Sequence, residues 1–521
     1  MEVENSIFAS PLNPKVLLLS TRLLPSGSTT RTSQNAGKAG SWGNYQELET
    51  NGLSPVSLIG KHAGGTSGNG KFYVNYLGPN GQIGRDVKVV IKLETSNPWD
   101  APVTILDAGL NPDGQGGLQN HIWIDNTSGS AFEDRVYCGW SEDTGPRVLM
   151  KRSINDGATW IPPLDQVPTF VDAQEGPRWN LGINLHSGDA PAGRLYAGFS
   201  IANNQPDPAM GIGFRISLFG GESWQSACPT PCSRPTPTTC DCNPPLSELT
   251  RQKILDINGL PSDYLCSRGK TMKVNSYPSM AVVRTLPPHD NPSVVLGNIF
   301  IVYAAKTANT PSAETDIYVI KSTDGGDNWS TPLRVNQDPL GNNKDQWHPW
   351  ISWDDCTGAL VVVFYDSRDF AANEGVNTYM AVSYPPRPAH PNFPQEIAAV
   401  GDSWTDFKVS DVSWSGDPPG ASCGQPGFAG DHIGVAARDG MAFAVWSDDR
   451  NQTQGTYKPF VSPVYLWGVK QETVTLKRRQ QPRNDDHRHR GLADGSSRPG
   501  GGPSRVDRSF RAPVHGRLRV L

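Results

Sequence analysis

The feature that most constrains this chain is a short sequence unit that occurs six times. In each copy a run of alternating apolar residues ends on an aromatic residue, six positions after a turn residue that is glycine in five of the copies. The copies run from Gly70 to Tyr76, Asp134 to Trp140, Gly193 to Phe199, Gly297 to Tyr303, Gly358 to Phe364 and Gly440 to Trp446. Such recurrence indicates one supersecondary unit, built on β-strands, that is copied along the chain.

A second pattern, Ser-x-Asx-x-Gly-x-x-Trp, lies between several of these runs. It is intact at Ser153, Asn155, Gly157 and Trp160, and again at Ser322, Asp324, Gly326 and Trp329. Decayed copies occur at Ser217, Gly221 and Trp224, at Gly401 and Trp404, and near Trp99 and Trp42. The Asx side chain accepts a hydrogen bond from the backbone two residues on, and the glycine supplies a positive φ angle. The pattern therefore predicts a tight turn between two strands, with a structural role.

The spacing of this second pattern resembles the Asp-box, or BNR, repeat of the sialidase-like β-propellers, over roughly residues 4 to 468. The segments Asp345–Trp350, Val363–Arg368 and Gly430–Gly434, followed by Val445–Arg450, are similar to bacterial secreted proteins labelled exo-alpha-sialidase. The resemblance implies a β-propeller, in which four-stranded antiparallel blades surround a central channel, and a terminal acidic sugar as the ligand.

Composition also favours an all-β fold. The chain has 54 Gly, 45 Pro and 15 Trp with 19% charged residues, which is typical of many short strands joined by turns. The best helical periodicity is confined to Ser247–Asn258. No stretch approaches the roughly 20 apolar residues of a membrane helix, so no membrane span is expected.

Inner strands of the propeller are expected near seven positions, each followed by a second strand. These positions are Glu4, Pro55, Gln119, Arg178, Tyr277, Gln346 and Asp431. The count predicts a single propeller with seven blades, and six blades are the alternative because well-characterised sialidases have six. We expect the propeller to occupy residues 1–470, interrupted by a Cys/Pro-rich insertion at about 226–273.

The insertion holds five of the eight cysteines, namely Cys228, Cys232, Cys240, Cys242 and Cys266. Disulfides that staple a polar loop are the favoured interpretation; free thiols and a zinc site are the alternatives. Oxidised cysteines would imply a secreted, extracellular protein. The N-terminal sequence Met1-Glu-Val-Glu-Asn has no signal peptide, which predicts either a cytosolic chain or a missing true start.

Charge divides the chain into an acidic body and a basic tail. Residues 477–521 carry 12 Lys or Arg and 4 acidic residues, so their net charge is +8, and the rest of the chain carries −13 of the total of −5. An acidic body repels nucleic acid, so no nucleic-acid partner is expected. The tail, 471–521, lacks apolar periodicity and is predicted to be disordered. It is interpreted as a solvated extension, with binding of an anionic partner as the alternative.

Strand direction predicts two different faces of the ring. Loops that precede inner strands and follow second strands share one face, termed the mouth face, and the Ser-x-Asx-x-Gly-x-x-Trp turns lie on the opposite turn face. Arg22, Arg368 and Arg450 follow second strands, and with Arg178 they are predicted to grip a carboxylate. The alternative is that Asp366 with Arg368, and Asp449 with Arg450, are loop ion pairs.

Further candidate ligand contacts are His348, His432 and Trp347. The alternatives are hydrogen-bonded strand caps for the histidines and packing rather than sugar platforms for Trp347 and Trp350. The resemblance implies a tyrosine nucleophile assisted by a glutamate, an aspartate acid/base and three arginines on the substrate carboxylate. Asp366, Asp431 and Tyr365, the last with Glu142, are the candidate catalytic residues.

The match to this chemistry is incomplete, because the Arg-Ile-Pro motif of the family is absent from the first inner strand. The segment Arg22-Leu-Leu-Pro25 has a different spacing and follows a second strand. The sequence is therefore consistent with two functions: an exo-sialidase-like glycoside hydrolase, and a non-catalytic propeller that binds a glycan or a protein. No cofactor is expected; Asp354-Asp355 and Asp448-Asp449 offer oxygen ligands for Ca²⁺, with solvated turns as the alternative.

Overall fold

The structure is a computed structural model. It describes residues 2–10, 13, 15–23, 27–35, 41–44, 46–50, 53–61, 70–79, 85–93, 99–111, 116–126, 130–142, 145, 147–164, 166, 168–172, 179–188, 194–203, 207–226, 253–260, 268, 274–283, 297–385, 399–414, 433–448, 458–466 and 519–520.

Seven antiparallel sheets follow one another along the chain and form a seven-bladed β-propeller, as the number of expected inner strands predicts. Blade 1 comprises β1 (Glu2–Ala9), β2 (Leu17–Leu23), β3 (Gly27–Ser33) and β4 (Gln46–Thr50). Blade 2 comprises β5 (Leu53–Lys61), β6 (Lys71–Pro79), β7 (Arg85–Leu93) and β8 (Val103–Leu106). Blade 3 comprises β9 (Gly117–Ile124), β10 (Val136–Glu142), β11 (Val148–Ser153) and β12 (Thr169–Asp172). Blade 4 comprises β13 (Trp179–Gly188), β14 (Arg194–Ala202), β15 (Gly211–Ser217), β16 (Gln225–Ser226) and β17 (Lys253–Asp256). Blade 5 comprises β18 (Ser279–Val282), β19 (Ile299–Lys306), β20 (Thr315–Ser322) and β21 (Leu333–Arg334). Blade 6 comprises β22 (Gln346–Trp353), β23 (Leu360–Asp366), β24 (Asn377–Ser383) and β25 (Thr405–Lys408). Blade 7 comprises β26 (Gly434–Arg438), β27 (Met441–Asp448), β28 (Lys458–Tyr465) and β29 (Arg519–Val520).

The apolar core lies between the blades, and it also joins the last blade to the first. Ile7 and Leu19 of blade 1 are buried in one cluster with Phe443 and Val461 of blade 7. Because this cluster closes the ring, both ends of the repeat array have a packing partner. No helix in the described part is long and apolar enough to cross a membrane.

Blades 4 and 7 differ from the others in their outermost strands. In blade 4 both β16 and β17 pair with β15, so the outer position is shared by a strand at the start of the predicted insertion and a strand within it. The helical periodicity of Ser247–Asn258 does not produce a helix over its described part, where Lys253–Asp256 is a strand. In blade 7 the fourth strand is β29, which pairs with β28. The rest of the predicted tail, and the five cysteines of the insertion, lie outside the described residues.

The aromatic residue of the first sequence repeat stands opposite an irregularity of the inner strand. In blades 3, 4 and 6 the pairing skips two inner-strand residues opposite Trp140, Phe199 and Phe364. In blades 2 to 7 one inner-strand residue pairs with the second-strand residue that directly precedes this aromatic. In blade 1 Thr21 stands in place of the aromatic. We call the place of this inner-strand residue the ring position. The seven ring positions are Ser6, Ser57, His121, Asn184, Ser279, Trp350 and Gly434.

The predicted turns share one hydrogen bond in four blades. The backbone N–H of Gly157, Gly221, Gly326 and Gly401 donates to a serine Oγ at 2.8 Å, and the acceptors are Ser153, Ser217, Ser322 and Ser383 in that order. The indole N–H of Trp160, Trp329 and Trp404 donates to the carbonyl of the same glycine at 3.1 to 3.2 Å. Gly326 has a φ of +100°, and a Cβ added there would lie 2.5 Å from Phe214 of blade 4, so both the backbone and the packing require glycine.

Candidate functional site

The mouth face contains five of the predicted site residues with described side chains: Trp347, His348, Tyr365, Asp366 and Arg368. Arg178, Asp431, His432 and Arg450 lie outside the described residues. Arg22 pairs with Val3 in blade 1, and its side chain is likewise outside the description. The predicted grip of four arginines on one carboxylate therefore stays a prediction.

Arg368 is surrounded by carboxylates from blade 6 and from the loop that joins blades 5 and 6. Its Nε donates to Asp366 Oδ2 at 2.7 Å, and its Nη2 donates to Asp406 Oδ2 at 2.6 Å. The same Nη2 lies 3.7 Å from Asp338 Oδ1, and the guanidinium carbon lies 4.2 Å from the centre of the Tyr379 ring. Burial lowers the pKa of Arg368, but the carboxylates of Asp366 and Asp406 outweigh burial and raise that pKa above its usual range. The guanidinium is thus held by the protein itself.

Asp366 lies at the end of β23 with a side chain that is 0% exposed. Its Oδ1 accepts hydrogen bonds from the backbone of Arg368 at 2.6 Å and from Gln346 Nε2 at 3.2 Å. Burial raises the pKa of Asp366 to about 6, although Arg368 and Gln346 both act to lower it. The buried carboxyl group therefore holds its proton to a higher pH than an exposed aspartate does.

Tyr365 lies beside Asp366 but points into the contact between blades 6 and 7. Its hydroxyl accepts a hydrogen bond from the backbone N–H of Ser447 at 3.3 Å, and the residue is 1% exposed. Burial raises the pKa of Tyr365 above its usual range. Trp347, also 1% exposed, packs with a ring centroid 5.9 Å from that of Tyr365. In this arrangement both side chains contribute to packing between blades.

His348 has a φ of +52°, in the left-handed region, within the irregularity of β22. Its Nε2 lies 3.4 Å from Asn275 Nδ2, and it is 3% exposed. A buried, hydrogen-bonded His348 within a strand fits the interpretation of a strand cap better than that of a ligand contact.

Other described arginines of the mouth face are also paired with acidic side chains. Arg147 forms an ion pair with the buried Glu142 in the loop after β10. Arg268 lies 3.1 Å from Asp345, and Arg334 lies 3.4 Å from Asp316 and 3.5 Å from Asp338. Asn336 also donates to Asp316 and Asp338, at 2.7 and 2.6 Å. A continuous polar network therefore joins blades 5 and 6 on the mouth face.

Two ring side chains meet across the axis of the propeller. The rings of His121 in blade 3 and Trp350 in blade 6 have centroids 6.5 Å apart, although two blades separate them on one side and three on the other. His186 of blade 4 lies 6.3 Å from His121 and 3.9 Å from Trp123. These side chains narrow the central channel. No role for His121 could be predicted from the sequence, because nothing local shows which inner-strand residues reach the axis.

His121 also takes part in a repeated contact between neighbouring inner strands. The backbone N–H of Leu185 donates to His121 Nδ1 at 3.3 Å, that of Met280 to Asn184 Oδ1 at 3.2 Å, and that of Ile351 to Ser279 Oγ at 3.2 Å. All three acceptors occupy ring positions. Because Nδ1 is an acceptor, the proton of the neutral imidazole lies on Nε2. Burial lowers the pKa of His121 to about 3.

The two acidic pairs considered for calcium have other contacts. Asp354 accepts the backbone N–H groups of Thr357 at 2.9 Å and Gly440 at 3.1 Å, so it joins blades 6 and 7. Asp448 Oδ2 accepts the indole N–H of Trp446 at 3.1 Å, and Asp449 lies outside the described residues. Among the residues that the structure describes, no group of three or more His, Cys, Asp or Glu side chains could hold a metal ion.

Comparison with known proteins finds no matching family model and no matching curated protein. Solved structures match at low identity. An α-L-arabinofuranosidase of Fusarium graminearum, in complex with arabinobiose, is 11% identical, with 79% of this chain and 92% of that chain covered and a TM-score of 0.40. An α-L-arabinanase of Penicillium chrysogenum is 10% identical, with 89% and 99% covered and a TM-score of 0.41. A sialidase of Trypanosoma rangeli, in complex with sialic acid, is 11% identical, with 70% and 52% covered and a TM-score of 0.36.

Proposed function

We propose that this chain is a non-catalytic propeller that binds glycans at the mouth face. The observation that carries the proposal is the arrangement of Tyr365, Asp366 and Arg368, whose polar groups are all bonded within or between blades. A nucleophile, an acid/base and a carboxylate-binding arginine must each be presented to the substrate to act. The resemblance of the repeats to sialidase-like propellers supports a glycan as the ligand, with a protein as the alternative partner.

A glycan array combined with turnover assays tests this proposal. We expect the protein to retain specific glycans on the array without cleaving fluorogenic sialosides or other acidic glycosides. Absence of binding to every glycan, together with capture of a protein partner, would favour the protein-binding alternative.

A second candidate function is an exo-sialidase-like glycoside hydrolase that acts on terminal acidic sugars. It is favoured by the pKa of about 6 for Asp366, because a carboxylic acid that keeps its proton near neutral pH suits general acid catalysis. If Asp366 is this acid, kcat/KM falls as the pH rises above about 6, because the required proton is lost. The Asp366→Asn variant would then lose activity while retaining its fold by circular dichroism, and turnover with no such pH limb would exclude this role.

Export to an oxidising compartment is part of the proposal. It rests on the cysteine-rich insertion, since disulfides form in such compartments. Cys138 and Cys356 are free in the described part of the chain. A thiol count on the unfolded, non-reduced protein is expected to fall well below the eight cysteines of the sequence.

A further inference from the structure

The ring positions differ in a way that separates two blades from the other five. Five blades have a small or amide side chain there: Ser6, Ser57, Asn184, Ser279 and Gly434. Blades 3 and 6 instead have His121 and Trp350. These two large side chains meet across the ring, with centroids 6.5 Å apart, although their blades are not neighbours.

The pair lies below the ends of the inner strands on the mouth face. Trp350 is four residues beyond the start of β22. The irregularity after Trp347 places one extra residue in this stretch, so the distance along the strand corresponds to three residues. At a rise of about 3.3 Å per residue, the pair is roughly 10 Å below the ends of the inner strands. Trp350 and His186 are both half-buried, so the ring cluster retains an exposed surface.

Charge at the mouth face disfavours an anionic ligand. Arg147, Arg268, Arg334 and Arg368 each form an ion pair with at least one buried carboxylate. A ligand carboxylate would have to displace a protein carboxylate that is already desolvated, and it would approach a body with a net charge of −13 outside residues 477–521. The described side chains therefore suit a ligand without charge.

We propose that Trp350, flanked by His121 and His186, is the floor of the ligand site and that the ligand is a neutral sugar whose apolar C–H face rests on the indole. Aromatic faces carry partial negative charge and attract the weakly positive C–H groups of a sugar ring. Ligand sites commonly combine such an apolar floor with a polar rim, here the amide and acidic network of the mouth face. This inference rests on the proposed glycan-binding function and narrows its ligand class.

The test compares Trp350→Ala with Trp350→Phe and with the control Trp353→Ala, a half-buried tryptophan at the other end of the same strand. The probes are the glycan array and, from it, matched pairs of neutral and sialylated glycans such as lactose and 3′-sialyllactose. Binding is measured by titration at about 0.05 and 0.5 M NaCl, concentrations between which screening of surface charges differs strongly.

We expect the array to retain neutral termini and the titrations to change little with salt. Trp350→Ala should weaken binding at least tenfold, whereas Trp350→Phe should recover most of the affinity and Trp353→Ala should bind as the wild type does. Thermal unfolding of each variant shows whether a loss of binding reflects a loss of fold; if Trp350→Ala unfolds, Trp350→Phe and quenching of tryptophan fluorescence by the bound glycan decide the question.

Two results would overturn the inference. Binding confined to sialylated or other acidic glycans, and abolished by salt, would show that the ligand is anionic while leaving glycan binding itself intact. Unchanged affinity in Trp350→Ala would remove the indole from the site. A protein that binds no glycan at all would instead refute the proposed function, and this inference with it.

Discussion

The turn face and the mouth face of this propeller are stabilised in different ways. On the turn face four blades use the same serine-to-glycine hydrogen bond at 2.8 Å, and in three of them the two residues are only four positions apart in sequence. On the mouth face some ion pairs are local, such as Arg147 with Glu142, and others join residues that are distant in sequence, such as Arg268 with Asp345 and Arg368 with Asp406. Among the described residues these pairs do not repeat from blade to blade.

This difference shows which side of the fold can vary. The turn face repeats because each turn closes the same pair of strands, so the same local solution serves every blade. Loops of the mouth face are not constrained by strand closure alone, and binding residues commonly lie on loops held by a rigid scaffold. We therefore expect substitutions on the mouth face to have large and individual effects, and those on the turn face to have smaller and similar ones.

The largest expected effect is that of Arg368→Ala. Removing the guanidinium leaves Asp366, Asp406 and Asp338 without their shared counter-charge, which should lower the free energy of unfolding by about 3 to 5 kcal/mol. The control is Lys71→Ala, which removes the turn-face ion pair with Asp156, whose side chains are 32% and 38% exposed. This control should cost less than about 1 kcal/mol in urea unfolding. Equal losses in the two variants would contradict the distinction between the faces.

His121 is expected to make the propeller sensitive to acid. Its pKa is about 3 in the folded protein, below the ordinary value of 6.5, so the unfolded chain binds a proton that the folded chain excludes. The stabilisation is complete above pH 6.5 and is lost as the pH falls towards 3, and the loss amounts to roughly 4 kcal/mol at pH 3.5. In His121→Asn the amide oxygen can accept the N–H of Leu185, as Asn184 does for Met280, without titrating.

Urea unfolding at pH 7, 5 and 3.5 measures this effect. His121→Asn should match the wild type within about 1 kcal/mol at pH 7 and exceed it at pH 3.5, since only the wild type has this group to protonate. His121→Ala, which removes the acceptor, should be less stable at pH 7. The same dependence on pH in wild type and His121→Asn would show that this imidazole does not limit acid stability.

The smallest effect is expected for the turn serine. Ser322→Ala leaves the buried N–H of Gly326 without its acceptor and should cost about 2 kcal/mol. Thr323→Ala, at an exposed position in the same turn, should change the free energy of unfolding by no more than about 0.5 kcal/mol. Thermal unfolding compares the two, and Ser153→Ala should behave as Ser322→Ala does, because its hydrogen bond to Gly157 is the same. A large difference between the two serine variants would show that the turns are not equivalent.

Local and periodic features could be predicted from the sequence. Alternating runs that end on an aromatic predicted six of the second strands, and the number of expected inner strands predicted seven blades. The turn at Gly401 was only partly recognised, because the serine that completes it, Ser383, precedes the glycine by 18 residues instead of four. The strand at Lys253–Asp256 was missed because its pairing with β15 overrides the weak helical periodicity of its own sequence.

The sequence by itself determined that the chain is built from repeated antiparallel strands and tight turns, because alternation, turn chemistry and spacing act between residues that are close along the chain. Only the tertiary structure decided that Arg368 is bonded to Asp406 and that His121 meets Trp350 across the axis. The first contact arises because β23, β24 and β25 pair within blade 6, and the second arises because the ring closes. Neither distance is set by a spacing along the sequence.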